Sequence, residues 1–462
     1  MINKIRNFSN WPIPIKIIFS FAIVIILGSF FLALPVSQLA SSKATYFDHL
    51  FGAISMVAVT GLATVPVAET YNIYGQIITL VLIKLGGLGL ITIVSAIVMQ
   101  FGRQVSMREE ITLQQALNRS DMKGFRHFLL NVVKYTTLFE AIGAILFMFK
   151  FIPHFGWASG IFNSIFLSIS AFNNAGFDNL GTVSLQSFVD TPMINIVVPI
   201  LIILGGIGFS VWFDVAKHFK QFSTARSWVD FKGTYRKLKL HTRLVIKWSM
   251  GLIVSAVVIF TLAEWNNPQT LGSLDFSGKI QAIFFQAVTL RTAGFSTLDF
   301  SEFHMFTLIA FTVFMFIGGS PGGTAGGAKT STVALVVKLM GAEIKGVTNV
   351  NYKKRTLEMD IIKRALVIVV MFILLNFFAL ALMTIFDEQI PLQYLFFETV
   401  SAFGTVGLSA DLTASLSRPS QTVIMFCMFI GRIGPITIFT ALGNRDRRYR
   451  DIRYATGNIL IG

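Results

Sequence analysis

Apolar residues run along the chain in blocks of about 20–30, the length that crosses a bilayer as a helix. The blocks fall at roughly 14–35, 73–101, 128–150, 192–213, 244–264, 304–317 continuing to about 340, 365–386 and 421–442. They predict eight crossings. Between them lie four shorter apolar stretches, near 47–59, 160–173, 280–290 and 392–403. Each holds about 11–14 residues, too short to span and suited to a re-entrant helix.

Composition supports a membrane protein. Of 462 residues, 54% are hydrophobic and 13% charged, against about 25% charged in an ordinary soluble domain. This excludes disorder and argues against a soluble enzyme. The net charge of +15 would suggest nucleic acid in a soluble chain, but its placement says otherwise. Segments 102–127, 214–247, 338–364 and 444–462 carry 26 Lys/Arg, whereas 36–72, 151–191, 265–303 and 387–420 carry 4. The positive-inside rule puts the first set in the cytoplasm with both termini, and the short stretches outside. No nucleic acid is called for. The first block is too long for a cleavable signal and is expected to be the first span. The single cysteine, Cys427, allows no internal disulfide framework.

The short stretches are copies of one another. Each ends in a small residue, a glycine and a large apolar residue: Thr60-Gly61-Leu62, Ala175-Gly176-Phe177, Ala293-Gly294-Phe295 and Val406-Gly407-Leu408. The glycines are 115, 118 and 113 residues apart, a period that indicates repetition of a whole module. A second landmark follows 24–29 residues later: Gly86-Gly87-Leu88-Gly89, Gly205-Gly206-Ile207-Gly208, Gly318-Gly319-Ser320-Pro321 and Gly431-Arg432-Ile433-Gly434. Helix-packing glycines could account for the second landmark. They do not account for the first, which terminates segments too short to cross. The predicted fold is all-α and integral to the membrane. It comprises four helix–pore loop–helix modules around one pore, at 1–124, 125–238, 239–356 and 357–462.

Irregular backbone at membrane depth is tolerated only where protein or a water-filled cavity solvates it. Four such turns about one axis would aim carbonyl oxygens inward, where they can replace the hydration shell of a monovalent cation. Glycine permits the positive φ this requires. The C-terminal ends of the short helices would add partial negative charge toward the centre.

These modules resemble the pore loops of potassium channels, and Thr405-Val406-Gly407 matches the first three positions of their filter motif. More closely, the chain resembles the Trk/Ktr/HKT superfamily of potassium transporters, and within it the membrane subunit of bacterial Ktr systems. The motifs are Val59-Thr60-Gly61-Leu62, Ser170-Ala171-Phe172-Asn173-Asn174-Ala175-Gly176-Phe177, Arg291-Thr292-Ala293-Gly294-Phe295, Ser401-Ala402-Phe403-Gly404-Thr405-Val406-Gly407-Leu408 and Gly431-Arg432-Ile433-Gly434-Pro435. The resemblance implies a pseudo-fourfold pore in one chain. Its filter would be lined by Val59, Thr60, Gly61, Leu62, Asn174, Ala175, Gly176, Phe177, Thr292, Ala293, Gly294, Phe295, Thr405, Val406, Gly407 and Leu408. It further implies potassium as substrate, sodium as a candidate activator and no cofactor in this chain. A homodimer is expected, with an octameric cytoplasmic ring of regulatory subunits that would carry any ATP or ADP. The plasma membrane is the expected location.

The sixth span is interrupted at residues 318–330, which hold six glycines and a proline. An interior Gly costs a helix about 1 kcal/mol and Pro about 3, so the helix must break there. A plain hinge would satisfy this. A phosphate cradle would not, because Ala328-Lys329 departs from the pattern that Gly322 and Gly327 begin. The resemblance implies an intramembrane gate made of Gly318, Gly319, Ser320, Pro321, Gly322, Gly323, Thr324, Ala325, Gly326 and Gly327, with Lys329 and Arg432. The family shows three adjacent glycines where Ala325 and Ala328 here flank two, which leaves the loop's stiffness open. Arg432 would face the loop beneath the filter, a structural ion pair or a snorkelling position being the alternatives. Lys329 is expected to snorkel out. Glu398 and Arg291 are expected to support filters. Glu69 and Asp178 are candidates for drawing cations to the mouth, and Lys84 has no evident role. The histidines show no metal spacing. The basic loops and the tail Arg445–Arg453 could meet the ring or anionic lipid, and the end Asn458–Gly462 is placed at the dimer interface.

An alternating-access sodium/potassium cotransporter is the competing class. It more often shows two inverted repeats than four parallel ones. A membrane enzyme would need convergent catalytic groups, and none are evident. With one filter glycine per module, selectivity against sodium should be loose. Gly294→Ser is expected to shift the cation reversal potential away from potassium preference; an unchanged potential would remove these residues from the filter.

Overall fold

The computed structural model describes residues 11–89, 125–224 and 227–443. The first basic loop, the second half of the 73–101 block, and the C-terminal tail with its expected interface lie outside these residues. A trio of helices recurs along the chain. The long first members are α1 (Ile13–Ala33), α4 (Phe125–Phe155), α8 (Leu240–Glu264) and α12 (Met359–Phe386). The short second members are α2 (Tyr46–Ala58), α5 (Trp157–Asn173), α9 (Phe276–Thr289) and α13 (Leu392–Gly404). The third members are α3 (Ile73–Leu88), the pair α6 (Pro192–Gly206) and α7 (Phe209–Lys217), the pair α10 (Met305–Phe316) and α11 (Thr330–Glu343), and the pair α14 (Arg418–Ile433) and α15 (Pro435–Gly443).

Burial assigns each member its layer. The long helices are apolar enough to cross a membrane, yet only 28–33% of each most apolar stretch is buried. Phe30 and Phe31 on α1 and Phe377 and Phe378 on α12 are exposed, which suits contact with hydrocarbon. The short helices lie inside. Apart from its first residues, α2 is buried almost throughout, and the second half of α13 is wholly so.

The third members differ from the expectation of straight spans. Only the 318–330 break is expected from composition, but α6 and α7 meet at 97° and α14 and α15 at 92°. The cause is the last glycine of each second landmark. Gly89, Gly208 and Gly434 have φ of 81°, 95° and 91°, a left-handed region that ends a right-handed helix. Among the described residues four straight helices are long and apolar enough to cross a membrane, and two bent pairs raise the number to six if each pair is one span. The apolar helices α3 and α10 are shorter, and each ends at its own glycine landmark.

Four hydrophobic clusters fill the seams between successive trios. One joins Val57 and Ile83 to Phe166 and Phe177, and a second joins Phe147 and Phe172 to Phe285 and Phe295. A third joins Phe260 and Phe311 to Phe397 and Val400. The fourth joins Phe51 and Leu62 to Phe372 and Ile424, so the last trio packs back on the first. The outer end of that closing seam carries a bidentate ion pair. Arg418 donates to Asp48 Oδ1 at 2.6 Å and to Oδ2 at 3.3 Å. Thr45 and Thr64 also donate to this carboxylate. Burial alone would raise the pKa of Asp48, but the Arg418 and threonine bonds outweigh it and hold the group below the usual carboxylate range.

A depressed pKa contributes stability above the unfolded value, about 3.9, and the contribution is lost as pH falls through the folded value. Arg418→Ala is accordingly expected to lower the melting temperature in detergent by a few degrees at pH 7. The difference from the native chain should shrink as pH falls below about 4. A pH-independent difference would assign the loss to packing of Arg418 on the Phe47 ring, 4.6 Å away.

Candidate functional site

Just beyond each short helix the backbone enters the left-handed region. Val59, Asn174, Thr292 and Thr405 have φ of 55°, 59°, 66° and 49°. Two residues on, Gly61, Gly176, Gly294 and Gly407 have φ of 103°, 70°, 78° and 88°, and the residue between keeps negative φ. Alternating hand turns successive carbonyls to the same side of the chain. Left-handed backbone is costly for β-branched Val and Thr, about 1–3 kcal/mol each, so the surrounding structure must enforce it.

The four turns meet. A methyl group placed on Gly61 would lie 2.9 Å from Ala175 O, and one on Gly176 would lie 2.8 Å from Ala293 O. One on Gly294 would lie 2.6 Å from Val406 O, and one on Gly407 would collide with Thr60 O. Each glycine thus abuts the next turn, and the fourth abuts the first. The sixteen residues expected at a filter are together in this ring, which leaves no space for a β-carbon at the four glycines.

Side chains of the short helices hold the turns from behind. Ser55 Oγ accepts from Gly61 N, Ser170 Oγ from Phe177 N, and Ser401 Oγ from Gly407 N, each at 3.1 Å. In the third turn Thr289 Oγ1 donates to Phe295 O at 2.7 Å. These hydroxyls are absent from the sequence-based site. Their signal is a serine six residues before three of the four glycines.

One cavity of about 350 Å³ lies on the side of the ring toward which the chain leaves the glycines, bordered by all four glycines and by Asp178, Asp299 and Asp411. Burial raises the pKa of Asp178, in the turn beyond the second glycine, to about 6. Glu69 is exposed and does not border this cavity. A second cavity of about 320 Å³ borders Gly322, Gly323, Gly327, Lys329 and Arg432.

The glycine-rich segment lies across the opposite side of the ring. Its base is pinned by Gly318 N donating to Ala328 O at 2.9 Å and Thr330 Oγ1 to Gly318 O at 2.7 Å. Its middle docks on the α6–α7 bend. Ser320 N donates to Gly206 O at 2.9 Å, Thr324 N to Gly205 O at 3.1 Å, and Phe209 N to Gly322 O at 2.9 Å. Its far limb lies under the fourth turn: a methyl group on Gly326 would collide with Thr405 Oγ1, and one on Gly327 would lie 2.8 Å from Gly404 O. Arg432 clasps the segment. One guanidinium nitrogen donates to Thr324 O, and the other donates to Gly86 O and, at 2.8 Å, to Gly87 O. Lys329 does not snorkel outward; its ammonium turns back to Ala325 O at 2.6 Å.

Other charged residues acquire partners. Lys84 pairs with Glu140 of α4, which also accepts from Asn173 Nδ2 at 3.0 Å. Glu140 carries no sequence signal beyond being a carboxylate inside an apolar block. Arg291 donates to Thr330 Oγ1 at 3.2 Å, at the base of the glycine-rich segment. Glu398 accepts from Thr413, in the chain returning from the fourth turn. Among the described residues no His/Cys/Asp/Glu group could hold a metal ion.

A family model described as a cation transport protein, TrkH, matches residues 9–444. The chain belongs to the TrkH/Ktr family of cation transport proteins. It is 36% identical to the Ktr system potassium uptake protein B of Bacillus subtilis (strain 168), over 100% of this chain and 99% of the relative. It is 34% identical to the potassium/sodium uptake protein NtpJ of Enterococcus hirae, over 97% of each. The crystal structure of the potassium transporter TrkH from Vibrio parahaemolyticus superposes with a TM-score of 0.67 at 18% identity, covering 95% of this chain and 85% of that one. That likeness is one of fold. Members of this transporter family are integral membrane proteins.

The bonds from the Arg432 guanidinium to carbonyl oxygens hold Thr324 to the α3 terminus. Arg432→Ala is expected to raise cation flux through the full chain with little loss of folded protein, measured as uptake per unit of purified monodisperse chain. A large loss of folded protein at unchanged flux would make the arginine structural.

Proposed function

We propose that this chain is the pore subunit of a Ktr-type potassium uptake system. It would conduct potassium through the ring of four glycine turns. The single observation that carries this is the closure of those turns on one another in chain order, with left-handed backbone before and at each glycine. Carbonyl oxygens so arranged offer partial negative charge without a carboxylate, which suits a dehydrated monovalent cation. The buried hydroxyls of Thr292 and Thr405 have no hydrogen-bond partner, and buried polar atoms without partners are costly. A permeating cation at the inner end of the turns would supply one.

In this reading the four quarters, 1–124, 125–238, 239–356 and 357–462, each contribute one wall. The segment Gly318–Gly327 with Lys329 and Arg432 is the gate, and the carboxylates of the outer cavity raise the local cation concentration. Two such chains would sit on a cytoplasmic ring that binds ATP or ADP, with both termini facing that ring and sodium acting as an activator. Relatives named as parts of a Ktr system support a separate regulatory partner. The name of the Enterococcus hirae relative favours coupled sodium and potassium transport as a second reading.

Expression in a bacterial strain lacking its own potassium uptake, with and without the ring partner, tests the proposal. Rubidium uptake is expected from the chain and partner together, well above vector and competed by potassium. Absence of uptake with both subunits present in the membrane would overturn it. Strict coupling of rubidium entry to sodium at carrier-like rates would favour the second reading.

A further inference from the structure

The four turns are alike in backbone and unlike in one side chain. At the left-handed position Val59, Thr292 and Thr405 are β-branched; the second turn has Asn174. Asn174 is fully buried, and both ends of its amide are used. Nδ2 donates to Arg291 O at 3.2 Å, the carbonyl entering the third turn. Oδ1 accepts from Thr324 Oγ1 at 3.3 Å, in the glycine-rich segment. The Thr324 hydroxyl lies equally near Phe172 O, so its one proton serves both oxygens. The residue before, Asn173, is fixed by its bond to Glu140 and so to Lys84. Among the described residues no such links reach the other turns at this position. Val59 has no polar side-chain atom, and the hydroxyls of Thr292 and Thr405 are unpartnered.

Resting on the filter reading above, we propose that Asn174 is a specificity-determining positioning residue. It sets the distance between the second and third turns, and it ties that distance to the resting place of the gate segment. With Thr324 in place, Oδ1 is anchored and the planar amide presents Nδ2 to Arg291 O. While ions pass a segment that is only partly displaced, Oδ1 keeps its donor; when the segment withdraws fully, Oδ1 loses it, the amide gains freedom to rotate about its side-chain bonds, and its grip on Arg291 O weakens. A ring with one loosened wall discriminates less between a potassium-sized and a smaller ion, because discrimination depends on how firmly the carbonyls keep their spacing and number. Selectivity would thus vary with gate position through one amide.

The test uses the full chain with its ring partner, measuring rubidium uptake and its inhibition by sodium. Asn174→Thr makes the second turn like the third and fourth. It is expected to lower the preference for rubidium over sodium about two- to tenfold, the range set by one net hydrogen bond. Thr324→Val keeps the shape but removes the donor. It is expected to raise uptake and lower preference in the same direction, and the double variant should show no further loss of preference than Asn174→Thr alone. Asn174→Leu keeps the size and removes both donor and acceptor; it should match Asn174→Thr, and it serves if that variant fails to assemble. Native preference in a transporting Asn174→Thr or Asn174→Leu chain would overturn the proposal, as would fully additive effects of the two sites. Failure of the native chain to take up rubidium would instead remove the filter reading itself.

Discussion

A bilayer interior offers no water to an exposed amide, so every irregular segment there must be solvated by the protein or by what passes through it. Four turns of this chain break helical bonding at depth, and the remainder of the structure is arranged around that requirement. The serines of the short helices satisfy amides behind the turns. The four seam clusters press the turns inward, and the glycines let neighbouring backbones approach without a β-carbon between them. In the function proposed above, an alkali ion within the ring would exchange its water for the carbonyl oxygens of these turns.

The inner side follows the same logic. A loop with so many glycines has little side-chain surface with which to hold a position, so it is held by main-chain bonds to other breaks. Each main-chain bond it makes on α6 and α7 is at a helix terminus, where carbonyls or amides lack an intrahelical partner, and Arg432 joins it to a third terminus, that of α3. Arg432 is suited to this role because its forked donors reach the segment and the α3 terminus at once. The bent third helices and the glycine-rich segment therefore belong together: the bends expose the groups to which the segment attaches.

Much of this was legible in the sequence, and the reason is periodicity. Four copies of a small-glycine-large triplet at nearly constant spacing identify the turns, and the density of glycine between 318 and 330 identifies the loop. The bends at Gly208 and Gly434 were not legible, because a glycine inside an apolar block is as consistent with close helix packing as with a break. Lys84 and Glu140 were obscure for a different reason. They are 56 residues apart and belong to different quarters, so only the three-dimensional seam pairs them. Lys329 was misjudged because snorkelling assumes a nearer aqueous phase than a carbonyl, whereas Ala325 O lies within one turn of chain.

The glycine-rich segment is confined to a single quarter, as is Arg432. In an assembly of four identical subunits a long arginine would arrive in quadruplicate at the axis, and four such cations could not be accommodated together. Joining the quarters in one gene lets each wall drift separately. One quarter can carry a cation, another an amide and a third a flexible strap, so a substitution alters a single side of the channel. The cost is that a ligand acting on the strap gains no cooperativity from symmetry within the chain; any concerted response must come from pairing with a second copy or from whatever lies beneath it.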